Sequence, residues 1–586
     1  MVNIPSHLRE FVVKQEYEKY TPINQAVWRY VMRQNRAFLG EKAHSAYIDG
    51  LYSTGIDVEA IPRIETMNER LSKFGWSAVT IDGFLSSAAF MDFQAHGILP
   101  IATDIRTHEH IAYTPAPDIL HEAAGHAPIL KDEKYASYVR MIGALGAKAM
   151  STKEDYTLYE AIRLLSMVKE DPEAIKEQIA EAQEQLKKAQ AAVTEVSEIQ
   201  LVSRLYWWTV EYGLIGELEK PEIYGAGLLS SVGESKRCLQ PDTKKIPFSL
   251  NACVEAGYDI TDYQPQLFVC RNFEELIEAV KELETWLVCS RGGLEGLLMA
   301  IKSENIATAV YRSGLQVTGT ITHLEYGDND EVIYLQLTGP AALAVENREL
   351  EGHGKSYHKD GFGSPIGKLE GEEIPLEDFA EEQMHKWNLH QGEKTSLLFE
   401  SGIRVTGTVL YVRRHNGKII LIGFENCTVV TDEKTLFHPE WGTYDMAVGA
   451  SIVSVFSGAA DKEKFLAHTD RKSSVSKKRP QWNDRETKLH HLYKSVREAR
   501  EGRVEREDTE QRLAAVAQAL DRDYPEDWLL RLELLEIMTE RGIMKEESLH
   551  LRQQLTALAG NPENRELIEN GLALLSAAQS VDKTSA

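Results

Sequence analysis

Two histidines five residues apart, His121 and His126, constrain what this chain can fold into more than any other feature. They sit in Thr114-Pro-Ala-Pro-Asp-Ile-Leu-His-Glu-Ala-Ala-Gly-His-Ala-Pro128, with Glu122 between them and prolines at both ends. On a regular α-helix five residues advance by about 500°, which leaves the two rings roughly 140° apart. If both are to reach one point, the backbone must widen or break. Gly125 relaxes it, and Pro128 cannot donate a hydrogen bond back to Ala124. The spacing argues against an HExxH zinc protease, whose histidines lie four apart on one helical face. On spacing alone, a pair of histidines without any ligand remains the alternative.

A neutral imidazole is a good ligand for divalent iron, zinc or copper, and a two-histidine site needs a third donor. Two histidines and one carboxylate on one face of iron(II) leave positions open for oxygen and substrate. The best third candidate is Glu211. It is an acid in the otherwise apolar and aromatic helical stretch 201–213, which holds Tyr206, Trp207, Trp208 and Tyr212. A carboxylate is rarely buried unpaired in such a stretch, so either it has a partner or it is an exposed glutamate.

The chain has 586 residues, too many for one ordinary domain. Its 43% hydrophobic and 8% aromatic content suits a globular protein with large cores. The net charge of −25 disfavours nucleic acid and anionic membrane surfaces as partners. One basic run, Arg471 to Arg479, lies among serines and reads as a linker. Five cysteines, odd in number and without a CxxC, suit reduced thiols in the cytoplasm. No signal-like N-terminus or long apolar run occurs, so a cytoplasmic protein without a membrane span is expected.

Residues 1–110 alternate helical stretches with breakers. Ser151-x-x-Glu154 reads as a capping box opening a helix, and Asp171-Pro172-Glu173 as the start of a second. Ile175, Ile179, Ala182, Leu186, Ala189, Val193 and Val196 then recur in heptad spacing. Together they predict a helical hairpin over residues 152–200, packed within the chain or, alternatively, against a second copy. Beyond residue 290 the texture changes. Ser313-Gly-Leu-Gln-Val-Thr-Gly-Thr320 recurs as Ser401-Gly-Ile-Arg-Val-Thr-Gly-Thr408, an offset of 88 (401 − 313). Asn416-Gly417 marks a hairpin in the second copy. The glycine-rich insert between the copies, Gly352 to Gly363, lacks the strand and helix of a nucleotide site and reads as a loop. The expected architecture is multidomain. A mainly α domain at 1–295 carries the 152–200 hairpin as an insertion, a duplicated β-rich module spans 296–465, a linker spans 466–485, and an all-α region spans 486–586.

The first half resembles the catalytic domain of the pterin-dependent aromatic amino acid hydroxylases. The resemblance rests on Gly83-Phe-Leu-Ser-Ser87 with Phe90, Arg106, Tyr113-Thr-Pro-Ala-Pro-Asp118 and His121-Glu-Ala-Ala-Gly-His126-Ala-Pro128. It continues through Tyr206-Trp-Trp-Thr-Val-Glu211-Tyr-Gly213, Tyr224-Gly-Ala-Gly-Leu-Leu-Ser-Ser231, Gly233-Glu234 and Tyr263-Gln-Pro265. It covers about residues 16–290. It implies that His121, His126 and Glu211 hold iron(II), and that Leu85, Ser87, Phe90 and Glu122 bind tetrahydropterin, with Phe90 stacked on the pterin ring. Arg106 would hold the carboxylate of a free aromatic amino acid. Thr114, Pro117, Trp207, Ser230 and Ile260 would line the substrate pocket, Ser230 would orient His121, and Tyr206 would lie near the metal. Molecular oxygen is the co-substrate.

Within that resemblance, Trp207 and the apolar Ile260 favour phenylalanine, hydroxylated to tyrosine. Tryptophan or tyrosine hydroxylation is the alternative. A further reading makes this a binding or scaffold protein whose main role lies in the C-terminal half. Three features depart from the family: the 85 residues from His126 to Glu211 (211 − 126), which the hairpin insertion lengthens, the expected lack of an N-terminal regulatory domain before residue 16, and about 300 unrelated residues in place of the family's short C-terminal tetramerisation helix. Self-association through 152–200 or the C-terminal region is the protein contact the sequence suggests.

Overall fold

The computed structural model describes residues 2–82, 85–111, 117–170, 175–258, 263–327, 331–466, 482–503 and 506–584. The first half is built on helices with two small sheets at their margins. Thr21 and Asn24 form a reciprocal capping box on the helix Pro22–Leu39, with proline at its first position. Asp132 caps Glu133–Gly146 by accepting from two backbone N–H groups. One small sheet orders Val12–Val13, Ser77–Ile81 and Ile98–Ala102. The other orders Lys220–Ile223, Leu214–Glu217, Gln266–Cys270 and Lys244–Pro247. Between them Trp28, Tyr138 and Trp208 are buried in one large core.

The expected hairpin segment is a pair of helices, Lys153–Glu170 and Lys176–Ala192. Ala182 and Ala189 of the heptad seam are buried, but Ile175 and Val196 at its ends are exposed, because the helix Lys176–Ala192 begins after the one and stops before the other. The opening cap is also one residue later than the sequence suggests. The Asp155 N–H donates to Thr152 Oγ1 at 3.2 Å, and the Thr152 N–H donates back to the Asp155 carboxylate at 2.7 Å. Ser151 and Glu154 are therefore not the box. The proposed start at Asp171-Pro172-Glu173 lies outside the described residues.

The β half repeats one unit twice. Ile306–Tyr311, Gln316–Tyr326 and Val332–Val345 form the first meander, and Lys394–Leu398, Arg404–His415 and Lys418–Val430 the second. Asn416 and Gly417 both have positive φ between paired His415 and Lys418, as a two-residue hairpin turn requires. Ile452–Ser457 leaves the second unit and pairs antiparallel with Ile306–Tyr311, which locks the two units together. The helix Gly293–Ser303 packs against that returning strand. The boundary expected at 295 falls inside this helix.

The C-terminal helices, Asp484–Arg500, Arg506–Asp523, Trp528–Arg541, Lys545–Leu558 and Arg565–Thr584, do not stand apart. They pack on Pro22–Leu39 of the first domain and share its core. Tyr30 donates to the Leu567 carbonyl at 2.7 Å and meets the Trp528 ring edge-on. Among the described residues no helix is long and apolar enough to cross a membrane.

Candidate active site

The stretch holding His121 and His126 is a π-helix, Leu120–His126. Its i→i+5 ladder brings residues five apart nearly into register, so the two histidines share a face that an α-helix would deny them. Glu211 ends a second π-helical stretch, Trp207–Glu211, which follows the α-helix Glu198–Tyr206. The two wide turns are packed through glycines. A Cβ on Gly125 would come within 2.6 Å of the Ala226 carbonyl oxygen, and one on Gly225 within 2.5 Å of the Glu211 carbonyl oxygen. Only bare backbone fits at these crossings.

The resulting geometry is compact. Glu211 Oε2 lies 3.2 Å from His121 Nε2, and Oε1 lies 3.2 Å from His126 Nε2. The imidazoles stand almost perpendicular, with centroids 5.0 Å apart. One carboxylate thus faces two ring nitrogens, and the donor atoms of all three residues lie within 4.8 Å of one another. His126 Nε2 is buried without the geometry of a hydrogen bond to any protein group. An orphaned lone pair beside a carboxylate and a second imidazole suits a divalent metal.

Ser230 settles which nitrogen of His121 is free. Its hydroxyl donates to the Ala226 carbonyl at 2.8 Å, and its oxygen lies 3.0 Å from His121 Nδ1. With its own proton committed, the hydroxyl accepts from Nδ1–H, which leaves the Nε2 lone pair toward Glu211. Burial opposes ionisation of Glu211, but His126 and His121 more than offset it and hold the carboxyl well below its usual range. Burial likewise opposes the charged form of His121, yet Glu211 beside it raises the ring to about 9. Glu122 behaves differently. Burial pushes it up to about 7 against the pull of His126 and His121, and its Oε2 is buried without a partner, 3.8 Å from His126 Nε2.

Arg106 is buried and already held. Its Nε and Nη2 donate to the two oxygens of Asp118 at 2.8 and 2.9 Å, which leaves Nη1 with a long 3.4 Å contact to the Ser230 carbonyl. Asp118 also accepts the His121 N–H at 3.0 Å and thereby ties the guanidinium to the start of the π-helix. No role for Asp118 emerges from the sequence, although an aspartate three residues before the first histidine is a recognisable capping position.

Of the residues expected to bind the pterin, Phe90 lies beside the histidine cluster. Its ring is 6.3 Å from that of His126 and 6.1 Å from that of Tyr206. Leu85 packs with Leu8, Val79, Phe93 and Ile98, and Ser87 is exposed at the head of the helix Ser87–Ala95. The Tyr206 hydroxyl accepts from Gln94 Nε2 at 2.7 Å, a buried contact with no sequence signal. Trp207 lies stacked between Tyr258 at 4.4 Å and Tyr212 at 4.8 Å, and donates to Gln264 at 3.4 Å. Pro117 is exposed, and Thr114 and Ile260 lie outside the described residues.

A π-helical histidine pair and a carboxylate on a second π turn form a donor set that could hold one metal ion, with a buried guanidinium nearby. Comparison with known proteins makes the class specific. Residues 14–177 and 175–288 match the model of the biopterin-dependent aromatic amino acid hydroxylases. This half of the chain is similar to that family over those residues. A phenylalanine-4-hydroxylase of Mesorhizobium japonicum is 26% identical over 285 residues, covering 48% of this chain and 87% of the relative. One from Caulobacter vibrioides is 24% identical over 325 residues, covering 55% and 93%. The crystal structure of Chromobacterium violaceum phenylalanine hydroxylase with bound oxidized iron(III) is 25% identical, covers 47% of this chain and 87% of that one, and gives a TM-score of 0.38.

Proposed function

We propose that the chain hydroxylates the ring of free phenylalanine to give tyrosine, with iron(II), tetrahydropterin and molecular oxygen. The observation that carries this is the Glu211 carboxylate lying 3.2 Å from the Nε2 atoms of both His121 and His126, inside a family segment defined by pterin dependence. Iron bound there would supply a site for oxygen activation, with the pterin as the source of electrons.

The chain's own residues do the rest. Ser230 keeps His121 in the tautomer that presents Nε2. Asp118 occupies one edge of the Arg106 fork and fixes its direction, so Nη1 is left to take an amino acid carboxylate in place of its long contact to Ser230. The edge of the Trp207 indole, held between Tyr258 and Tyr212, offers an apolar contact for an aromatic side chain. Phe90 offers a ring face to the pterin, and the unpartnered oxygen of Glu122 accepts one of its N–H groups. The indole of Trp207 narrows the pocket toward phenylalanine over tryptophan, and Ile260 offers no partner to a phenolic hydroxyl.

The test is a parallel assay of phenylalanine, tyrosine and tryptophan with anaerobically iron-loaded enzyme, then oxygen. Phenylalanine should be consumed, and tyrosine formed, only when tetrahydropterin is added. Absence of tyrosine under those conditions overturns the assignment, and faster turnover of tryptophan or tyrosine would redirect the substrate within the same reaction.

A further inference from the structure

The two β repeats meet at a buried cluster that the hydroxylase chemistry does not use. His353 and His358 lie on the glycine-rich insert of the first repeat, between the strands Arg348–Glu349 and Gly361–Pro365. Asp445 lies on Tyr444–Ala447, which pairs with the long strand Lys418–Val430 of the second sheet. The three are 4%, 8% and 5% exposed, and one donor atom from each falls within 4.8 Å of the others. His353 Nδ1 is 3.2 Å from His358 Nε2. That is the separation of two ligands on a tetrahedral ion with metal–nitrogen bonds of about 2.0–2.1 Å, and equally that of an N–H···N hydrogen bond.

The surroundings favour the ion. The first repeat's strand Val332–Val345 pins the histidine loop from both ends. The Leu343 N–H donates to the His353 carbonyl and the Ala341 N–H to the His358 carbonyl, each at 2.9 Å. The Tyr411 hydroxyl donates to Asp445 Oδ1 and lies 3.4 Å from His353 Nε2. A carboxylate oriented by a second hydrogen-bonding group is the usual outer arrangement around a metal. The Tyr357 ring packs against both imidazoles. Without an ion, Asp445 has tyrosine hydroxyls and the nearby Arg413 charge to offset its desolvation, while the two buried imidazoles have each other and the Tyr411 hydroxyl. A divalent cation offsets it for all three.

We propose that His353, His358 and Asp445 form a second metal centre, which takes a zinc-class divalent ion and ties the insert of the first β repeat to the second sheet. Two imidazoles with one carboxylate suit zinc or a neighbouring first-row ion rather than calcium or magnesium, which prefer all-oxygen shells. The centre is independent of the iron assignment, since its three ligands belong to the β module.

The test uses the full-length chain, stripped by a chelator and titrated with zinc(II) or cobalt(II). The double variant His353→Asn/His358→Asn should bind one equivalent fewer than the wild type while keeping pterin-dependent turnover. Cobalt(II) adds a second readout, a visible tetrahedral-type absorption present in the wild type and missing from the variant. Should the double variant misfold, Asp445→Asn, which keeps the shape of the side chain, serves for the same comparison. Equal metal uptake by wild type and folded variant overturns the proposal and leaves the cluster a hydrogen-bonded histidine pair. Because the quantity read is a difference, a silent iron site would not imitate either outcome.

Discussion

Ser230 never faces the candidate metal position with its own hydroxyl, yet it decides which His121 nitrogen does. Its proton goes to Ala226 and its oxygen takes Nδ1–H. Ser230→Ala frees the ring to adopt the other tautomer and to rotate. The expected result is a loss of iron affinity of about 10–100-fold, the usual effect of removing such an outer partner. Iron titration followed by spectroscopy checks it. Ser230→Thr, which keeps the hydroxyl, should recover most of the affinity, and a Thr variant as weak as Ala would remove the positioning role. Glu122 and Glu211 show how differently two buried acids of one cluster are held. Both are buried, but only Glu211 has two imidazoles facing its two oxygens, and only its carboxyl is held low.

At the scale of elements, the site depends on two π turns that cross other backbone at glycine. A methyl group on Gly125 would meet the Ala226 carbonyl at 2.6 Å, so Gly125→Ala must push the histidine-bearing turn away from the segment that carries Ser230. Overpacking of this kind costs about 1–3 kcal/mol. The variant should melt several degrees lower and hold less iron than a surface Gly→Ala control such as Gly257→Ala, where a Cβ meets nothing within 4 Å. The need for an irregular helix here is legible in the sequence, because five-residue spacing cannot converge on an α-helix. The acid that joins the two histidines, Glu211, is legible as a carboxylate among aromatics. The β duplication is legible because turns and strands repeat together. The return of Ile452–Ser457 to the first sheet is not, since strand partners distant along the chain leave no mark in local periodicity. The hairpin's opening cap is misplaced by one residue because Ser151 and Thr152 are both good caps with acids three residues on. Contacts such as Gln94 with Tyr206 and Tyr258 with Trp207 bring distant segments together and are visible only in the fold.

Across the whole molecule, the C-terminal helices and the start of the β-to-tail connection are fastened to the first domain by buried charge. Asp92, on the helix that carries Phe90, receives His7 at 2.9 Å and Lys462 at 2.8 Å. Burial disfavours its charge, but His7, His96 and Lys462 overcome that and hold the carboxyl far below its usual range. A depressed folded-state value contributes stability above the unfolded value near pH 4 and loses it as pH falls further. Asp92→Asn should therefore lower the melting temperature at neutral pH and flatten its fall in acid. A steeper acid fall in the variant would contradict this.

The tail itself is held by Arg29, whose Nη1 donates to Glu533 at 2.6 Å with both side chains almost fully buried. Arg33 and Arg500 extend the network to Glu536 at 3.0 and 2.9 Å. Glu533→Ala leaves buried guanidinium charge with less compensation and should destabilise the folded protein by about 3–5 kcal/mol. Arg29→Met with Glu533→Leu removes both charges at similar volume and should recover much of that loss. Denaturant melts of the wild type, Arg29→Met, Glu533→Leu and the double variant give the coupling directly. A tail that merely rode on the enzyme as a separate binding module would unfold in its own transition, and Glu533→Ala would leave the melting of the catalytic half unchanged. A shared core instead requires that both halves shift together, and loss of pterin-dependent turnover should follow the same transition as loss of tail helicity.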